Sequence, residues 1–299
     1  MKVVVLGRTG QLARGLSEAS VGTGSEVVTI GRPEVDLVDP KSIAVAFARE
    51  RPEVVINAAA YTGVDKAESE PAIALAINAL GPEYAAQWCA AHSIPIIHIS
   101  TDYVFDGTKD SAYLETDSTG PINVYGLTKL EGEQRVARTC EQHLIVRTAW
   151  VYSPWGTNFV KTMLRLASTR SNINVVEDQL GSPTYAPDLA RMILAIATRV
   201  ASNQDARHWG TYHAAGHGEV SWFGFAQEVF RHAAENGLPF VNAAAISASA
   251  YPTPARRPSN SRLDCNKLRR VFGLQLADWR LGVQDCVARL ATTVKNDVP

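Results

Sequence analysis

Short apolar runs alternate with amphipathic stretches through the first half of the chain, and this alternation sets the expected fold. Residues 2–6, 26–30, 53–57, 94–100 and 143–148 are apolar, rich in branched side chains and bounded by turn residues, which marks strands buried on both faces. Between them, 11–19, 40–49, 71–91 and 124–139 have the length and apolar spacing of crossover helices. Repeated strand–helix–strand units demand a parallel sheet with helices on both faces, an α/β fold. After Trp150 the regular alternation stops, and Pro, Gly and Ser become frequent at 153–156, 181–187 and 251–261. Helices are expected there at 158–167, 187–199, 222–235, 265–272 and 277–292, building a smaller, partly helical region.

Directly after the first strand stands Gly7-Arg8-Thr9-Gly10-Gln11-Leu12-Ala13, a GxxGxxG-type loop with Ala in the third place. Gly7 permits the tight turn from strand to helix, Gly10 lets the backbone approach a pyrophosphate, and Ala13 lets the helix pack closely on the strand. The helix N-terminus offers free amides to the anion. The fold expected is therefore a Rossmann-type doubly wound parallel sheet with a smaller C-terminal substrate-binding region. The dinucleotide-binding part is assigned to residues 1–150 with about 184–215, and the substrate-binding part to about 151–183 and 216–299. After the second strand the adenosine-ribose position carries Gly31-Arg32 instead of an acid. Arg32 suits a 2′-phosphate, which favours NADPH, with NADH as the other cofactor to consider. Asp36 and Leu37 are placed to close over the adenine. The small side chains of Ala58, Ala59 and Ala60, followed by Tyr61 and Thr62, let the backbone after the third strand approach the cofactor, and equally suit tight packing.

Tyr125 and Lys129 stand at i and i+4 on one face of an expected helix. A cation near a phenol stabilises the phenolate, so the pair suits proton transfer by Tyr125. Nine tyrosines and eight lysines in 299 positions would supply about one quarter of a YxxxK by chance, so the pair alone decides little. Its weight comes from Ser100-Thr101-Asp102 at the carboxyl end of the fourth strand, the edge where open α/β sheets bind ligands. Thr101 is suited to hydrogen-bond a substrate oxygen, and Asp102 either to contact substrate or to form the turn that follows.

Composition changes this picture little. The 299 residues are 46% hydrophobic and 20% charged with a formal net charge of -1, which offers no basic field to nucleic acid and no polybasic stretch to a membrane. No apolar run reaches the roughly 18 residues of a membrane span, and the run after Lys2 is too short for a signal-peptide core. A cytoplasmic protein beginning at Met1 is expected. Cys89, Cys140, Cys265 and Cys286 lack metal-like spacing and are read as buried thiols.

The motifs together resemble the extended short-chain dehydrogenases and, more closely, the dTDP-4-dehydrorhamnose reductases, nearly from end to end. They are GRTGQLA at Gly7, VINAAAYTGVDKAE at Val55, HISTDYVFDG at His98, VYGLTKLEGE at Val124, VRTAWVY at Val146, DQLGSPTYAPDLA at Asp178 and ARRPSNSRLD from Ala255. The resemblance implies reduction of the 4-keto group of a dTDP-activated 6-deoxysugar with NADPH or NADH. Thr101 and Tyr125 would hold the C4 oxygen, Tyr125 would protonate it, and Lys129 would bind the nicotinamide ribose and tune Tyr125. Trp150 would lie against the sugar. Gly10, Gln11, Leu12, Asp36, Leu37, Ala60, Tyr61 and Thr62 match the family's cofactor contacts. Asn78 matches an asparagine recurrent in the superfamily, and equally suits a buried hydrogen-bonding role.

Related 4,6-dehydratases resemble STDEVYG where this chain has Thr101-Asp102-Tyr103, so the base for elimination is missing and ketone reduction fits better. Some family members bridge a dimer through magnesium with an acid on the first helix. This chain has Gly15 there, so no metal is expected, and a homodimer through other surfaces stays open. Two other readings remain: a 4-ketoreductase of another dTDP-deoxysugar, and a non-catalytic partner similar to the regulatory subunit of methionine adenosyltransferase.

Overall fold

Six parallel strands form the central sheet of the computed structural model, which describes residues 1–202 and 209–296. Residues 203–208 of the return segment and 297–299 lie outside the described residues. The first half runs β1 (Lys2–Leu6), α1 (Gln11–Ser20), β2 (Glu26–Ile30), α2 (Pro40–Glu50), β3 (Val54–Asn57), α3 (Val64–Ser69), α4 (Pro71–Leu75), a π-turn (Ala76–Leu80), α5 (Gly81–Ala91), β4 (Ile96–Thr101), α6 (Val124–Thr139) and β5 (His143–Thr148). The remainder runs β6 (Val151–Tyr152), α7 (Phe159–Ala167), β7 (Asn172–Val176), β8 (Leu180–Gly181), β9 (Thr184–Tyr185), α8 (Ala186–Ser202), β10 (Gly210–His213), β11 (Val220–Ser221), α9 (Trp222–Glu235), β12 (Asn242–Ile246), α10 (Asn266–Phe272) and α11 (Trp279–Asn296).

The sheet order is β10-β5-β4-β3-β1-β2. Successive side chains of a strand face opposite ways, so Val3 and Val5 join Leu12, Leu16, Leu189 and Ile193 on the α1/α8 side, whereas Val4 and Leu6 join Ile43, Phe47, Ala85 and Val136 on the other. This is why the strands read as unbroken apolar runs. A third core, around Tyr152, Val160, Ile173, Phe225 and Val283, lies in the later part of the chain. Gly15 faces α8, where an added Cβ would lie 3.0 Å from Ala190 Cβ, so this position is a close helix–helix crossing.

Three expectations need correction. The helix expected over 71–91 is continuous only in outline: it widens into the π-turn at Ala76–Leu80. Pro82 lacks the N–H that would have bonded the carbonyl of residue 78, which loosens the ladder at that point. The region after Trp150 also carries a parallel pair, β7 with β12, in register from Asn172↔Asn242 to Val176↔Ile246. The alanine-rich 242–246 run has no β-branched signal until Ile246, so its pairing, not its propensity, makes it a strand. Of the four thiols, Cys89, Cys140 and Cys286 are buried but Cys265 is only partly so.

Helix α6 is bolted to the sheet by a buried ion pair. Glu133 accepts from Arg147 Nη2 at 2.6 Å and from its Nε at 2.9 Å, and from the Ser100 hydroxyl at 2.5 Å. Both charged side chains are about 95% shielded, with 6% and 5% exposed. A buried ion pair is no guarantee of net stability, but removing one partner strands the other's charge in the core. Arg147→Met should therefore cost about 3–5 kcal/mol of unfolding free energy, measured as a lowered urea midpoint. The Glu133→Met/Arg147→Met double variant should recover most of that loss.

Candidate active site

The carboxyl ends of β1, β3, β4 and β5 open into one cavity of about 960 Å³. Gly7, Gly10, Gln11 and Leu12 line one end, with Arg32, Asp36 and Leu37 beside them; Ala58, Ala59, Ala60, Tyr61 and Thr62 form the middle; Thr101, Asp102, Tyr125, Lys129 and Trp150 form the other end. Every residue singled out in the sequence for cofactor or substrate thus lines the same space. Asn78 does not line it. Its amide bonds Tyr61 N at 2.8 Å, Tyr61 O at 3.2 Å and Thr128 Oγ1 at 3.0 Å, so it ties the middle of the cavity to α6 from behind.

The phosphate end is shaped by backbone. Gly7 turns with φ +118°, and a Cβ there would press on the backbone of Ala58 and Ala59 at 3.3 Å. At Gly10, by contrast, an added Cβ would meet no atom within 4 Å. Gly10 caps α1 without any side-chain hydrogen bond, leaving the first-turn amides unclaimed by a cap. An open glycine at an uncapped helix start is the cradle a pyrophosphate requires, so these residues fit a dinucleotide. Arg32 is exposed at the rim and Arg8 beside it pairs with Glu34 at 2.6 Å.

At the other end, the register Thr101↔Thr148 sets two hydroxyls side by side at the sheet edge. Thr101 Oγ1 donates to Asp102 Oδ1 at 2.8 Å and accepts from Tyr103 N at 3.2 Å. Asp102 Oδ2 and Thr148 Oγ1 are buried without a hydrogen-bond partner among the described residues, and both residues line the cavity. Buried polar atoms left unpaired in residues at a cavity wall are suited to a polar ligand that reaches them. Burial pushes the Asp102 carboxyl up to about 7 against the bond from Thr101. Burial likewise pushes the Tyr125 phenol up to about 12, with the Thr101 hydroxyl opposing it. The sequence had suggested that Lys129 would lower this phenol. Instead Lys129 Nζ donates to Ile99 O at 2.7 Å, and burial outweighs any help to the phenolate. Lys129 is itself brought down to about 8 by burial, with Glu133 one turn on working to keep it charged.

Sequence reading passed over Thr148, the Ile99 carbonyl and the bonds joining Gln11 to the later part of the chain. The Gln11 amide accepts from Ser153 Oγ at 2.7 Å and Asn158 Nδ2 at 2.9 Å. Thr148 had a legible signal, a hydroxyl at a strand's carboxyl end. The other contacts depend on tertiary approach. Trp150 has φ +47°, a left-handed conformation that costs a non-glycine residue roughly 1–3 kcal/mol and persists only where its surroundings over-determine it.

A parallel sheet with a glycine turn and a cavity across its carboxyl edge defines a Rossmann-type α/β protein. The sequence profile described as the RmlD substrate binding domain matches residues 1–292. A dTDP-4-dehydrorhamnose reductase of Sinorhizobium fredii is 48% identical over 279 residues, covering 93% of this chain and 94% of that one. A crystal structure of a dTDP-4-dehydrorhamnose reductase from Clostridium acetobutylicum superposes with a TM-score of 0.89 at 36% identity, covering 97% and 99% of the two chains. One from Bacillus anthracis, solved in complex with NADP, gives 0.88 at 36% identity over 96% and 99%. The chain belongs to the dTDP-4-dehydrorhamnose reductase family.

The depressed Lys129 carries a stability signature. Its folded value of about 8 lies below the ordinary 10.5, so its contribution is present above 10.5 and is lost as pH falls through 8. Lys129→Met should therefore be more stable than the parent at pH 7, on the order of 3 kcal/mol. That gap should close as pH rises from about 8 to 10.5 in chemical denaturation series. A gap independent of pH would contradict a buried, charged Lys129.

Proposed function

We propose that this protein reduces the C4 ketone of dTDP-4-dehydro-L-rhamnose with NADPH to give dTDP-L-rhamnose. The observation that carries this reading is the placement of Thr101, Tyr125 and Lys129 at one end of a cavity whose other end is the glycine turn. Gly7, Gly10, Gln11 and Leu12 would hold the pyrophosphate, Arg32 the 2′-phosphate, Asp36 and Leu37 the adenine side, and Ala58, Ala59, Ala60, Tyr61 and Thr62 the stretch between. NADPH, when bound, supplies the hydride. In this assignment 1–150 with 184–215 serves the cofactor, and 151–183 with 216–299 selects the sugar.

Tyr125 acts as the general acid. A phenol held near 12 is fully protonated at neutral pH, and the oxygen of a ketone becoming an alkoxide is basic enough to take its proton. Thr101 shares that oxygen and fixes its direction. Lys129, at about 8, is mostly charged at neutral pH and, one turn on from Tyr125, would bind the nicotinamide ribose. Asp102 borders the sugar, and the Trp150 indole lies against it. Tyr103 stands edge-on to Tyr125 with ring centroids 5.8 Å apart, and burial holds its phenol above the ordinary value. It therefore offers no base for elimination at the position where a dehydratase has glutamate.

With dTDP-4-dehydrorhamnose as substrate, Tyr125→Phe should lower kcat by about 10²–10⁴ while NADPH binding changes little, read from the loss of reduced-nicotinamide absorbance. No turnover by the parent protein, or undiminished turnover by the variant, would refute the assignment. Arg32→Ala should reduce kcat/KM for NADPH by roughly 10–100-fold and leave that for NADH nearly unchanged.

A further inference from the structure

Trp150 is gripped by three residues that do not themselves line the cavity. Its indole stacks on Trp222, with centroids 3.5 Å apart and planes within 7°. Its Nε1 donates to Ser261 Oγ at 3.1 Å. Gly181 passes so close that a Cβ there would collide with Trp150 Cε2. The Trp150 carbonyl accepts from Thr184 N at 3.2 Å, which anchors the left-handed backbone as well.

The two jaws share one piece of scaffold. Strands β8 and β11 pair antiparallel with Val220↔Gly181 and Ser221↔Leu180, so Gly181 and the residues leading into Trp222 lie on one ladder. Trp222 opens α9, whose N-cap Ser221 accepts from Gly224 N at 3.1 Å. Behind it, Phe159 and Phe225 pack with centroids at 4.7 and 6.1 Å. A side chain backed this way has little freedom to tilt.

We propose that Trp222 and Gly181 form a clamp that sets the angle of the Trp150 indole, making Trp222 a positioning residue for the sugar ring. The inference rests on the reading of Trp150 as the sugar's apolar wall. A strained backbone, a full-face stack and a glycine with no room for a methyl all act on one side chain, more constraint than a core aromatic needs. With Trp222 stacked on one face and Gly181 against the other, the indole has only its rim left for the cavity, and the clamp fixes the tilt of that rim. The clamp lies in the later part of the chain, so changes there alter which sugar fits without touching Thr101, Tyr125 or Lys129.

The test is steady-state kinetics of the full chain and of Trp222→Leu, Trp222→Phe and Gly181→Ala, with dTDP-4-dehydrorhamnose and NADPH. NADPH affinity is followed separately by nucleotide fluorescence. Trp222→Leu removes the stack and Gly181→Ala pushes the indole, so two unrelated changes strike the same wall. Each should raise the sugar KM by roughly tenfold, with kcat reduced less than about threefold and the NADPH Kd unchanged. Trp222→Phe should recover most of the loss. A sugar KM within about twofold of the parent in both Trp222→Leu and Gly181→Ala, or an NADPH Kd that rises in step with KM, overturns the clamp. A parent that binds NADPH but turns over no dTDP-4-dehydrorhamnose overturns the proposed function and the clamp together.

Discussion

The candidate site depends on a single buried carboxylate. Glu133 accepts from Ser100 on β4 and from Arg147 on β5, and so fixes α6 against the carboxyl ends of both strands. Ser100 precedes Thr101, Arg147 precedes Thr148, and Lys129 lies one helical turn before Glu133. The contact that holds the helix therefore also sets the spacing between the two edge hydroxyls and the Tyr125–Lys129 face. Gly132, beside Glu133, allows the approach, because a Cβ there would collide with Asn78 O in the π-turn.

Burial sets the electrostatics of that same corner. It raises Asp102 and Tyr125 and lowers Lys129, so each group is pushed toward its neutral form. Hydrogen bonds and Glu133 pull in the other direction. A corner in which the neutral forms are favoured is one in which a phenol keeps its proton until a strongly basic oxygen appears beside it. The buried His98, hydrogen-bonded to Asn57 at 2.9 Å, is likewise held well below its ordinary value.

Much of this was legible in the sequence because the physics involved is local. Strands 2–6, 26–30 and 143–148 and helix 124–139 follow from unbroken apolar runs and 3.6-residue spacing. The glycine turn, the hydroxyl at the end of the fourth strand and the YxxxK pair follow from residue type in context. What escaped depends on groups far apart in the chain. Strand β10 joins β5 from beyond residue 209, and β12 gains its conformation only by pairing with β7. The Trp222 stack on Trp150 spans 72 positions between the two residues, and no periodicity marks it. The direction of the Tyr125 shift was misjudged because i, i+4 spacing shows that two groups share a face, not that their polar atoms meet. Lys129 spends its ammonium on the Ile99 carbonyl.

The proposed roles of Tyr125 and Thr101 are tested most directly by a crystal structure of the protein with oxidised cofactor and dTDP-L-rhamnose. Tyr125 Oη and Thr101 Oγ1 should both lie within roughly 2.6–3.2 Å of the sugar's O4, with the pyrophosphate of the cofactor at Gly10. A sugar bound with O4 away from both hydroxyls would contradict those roles.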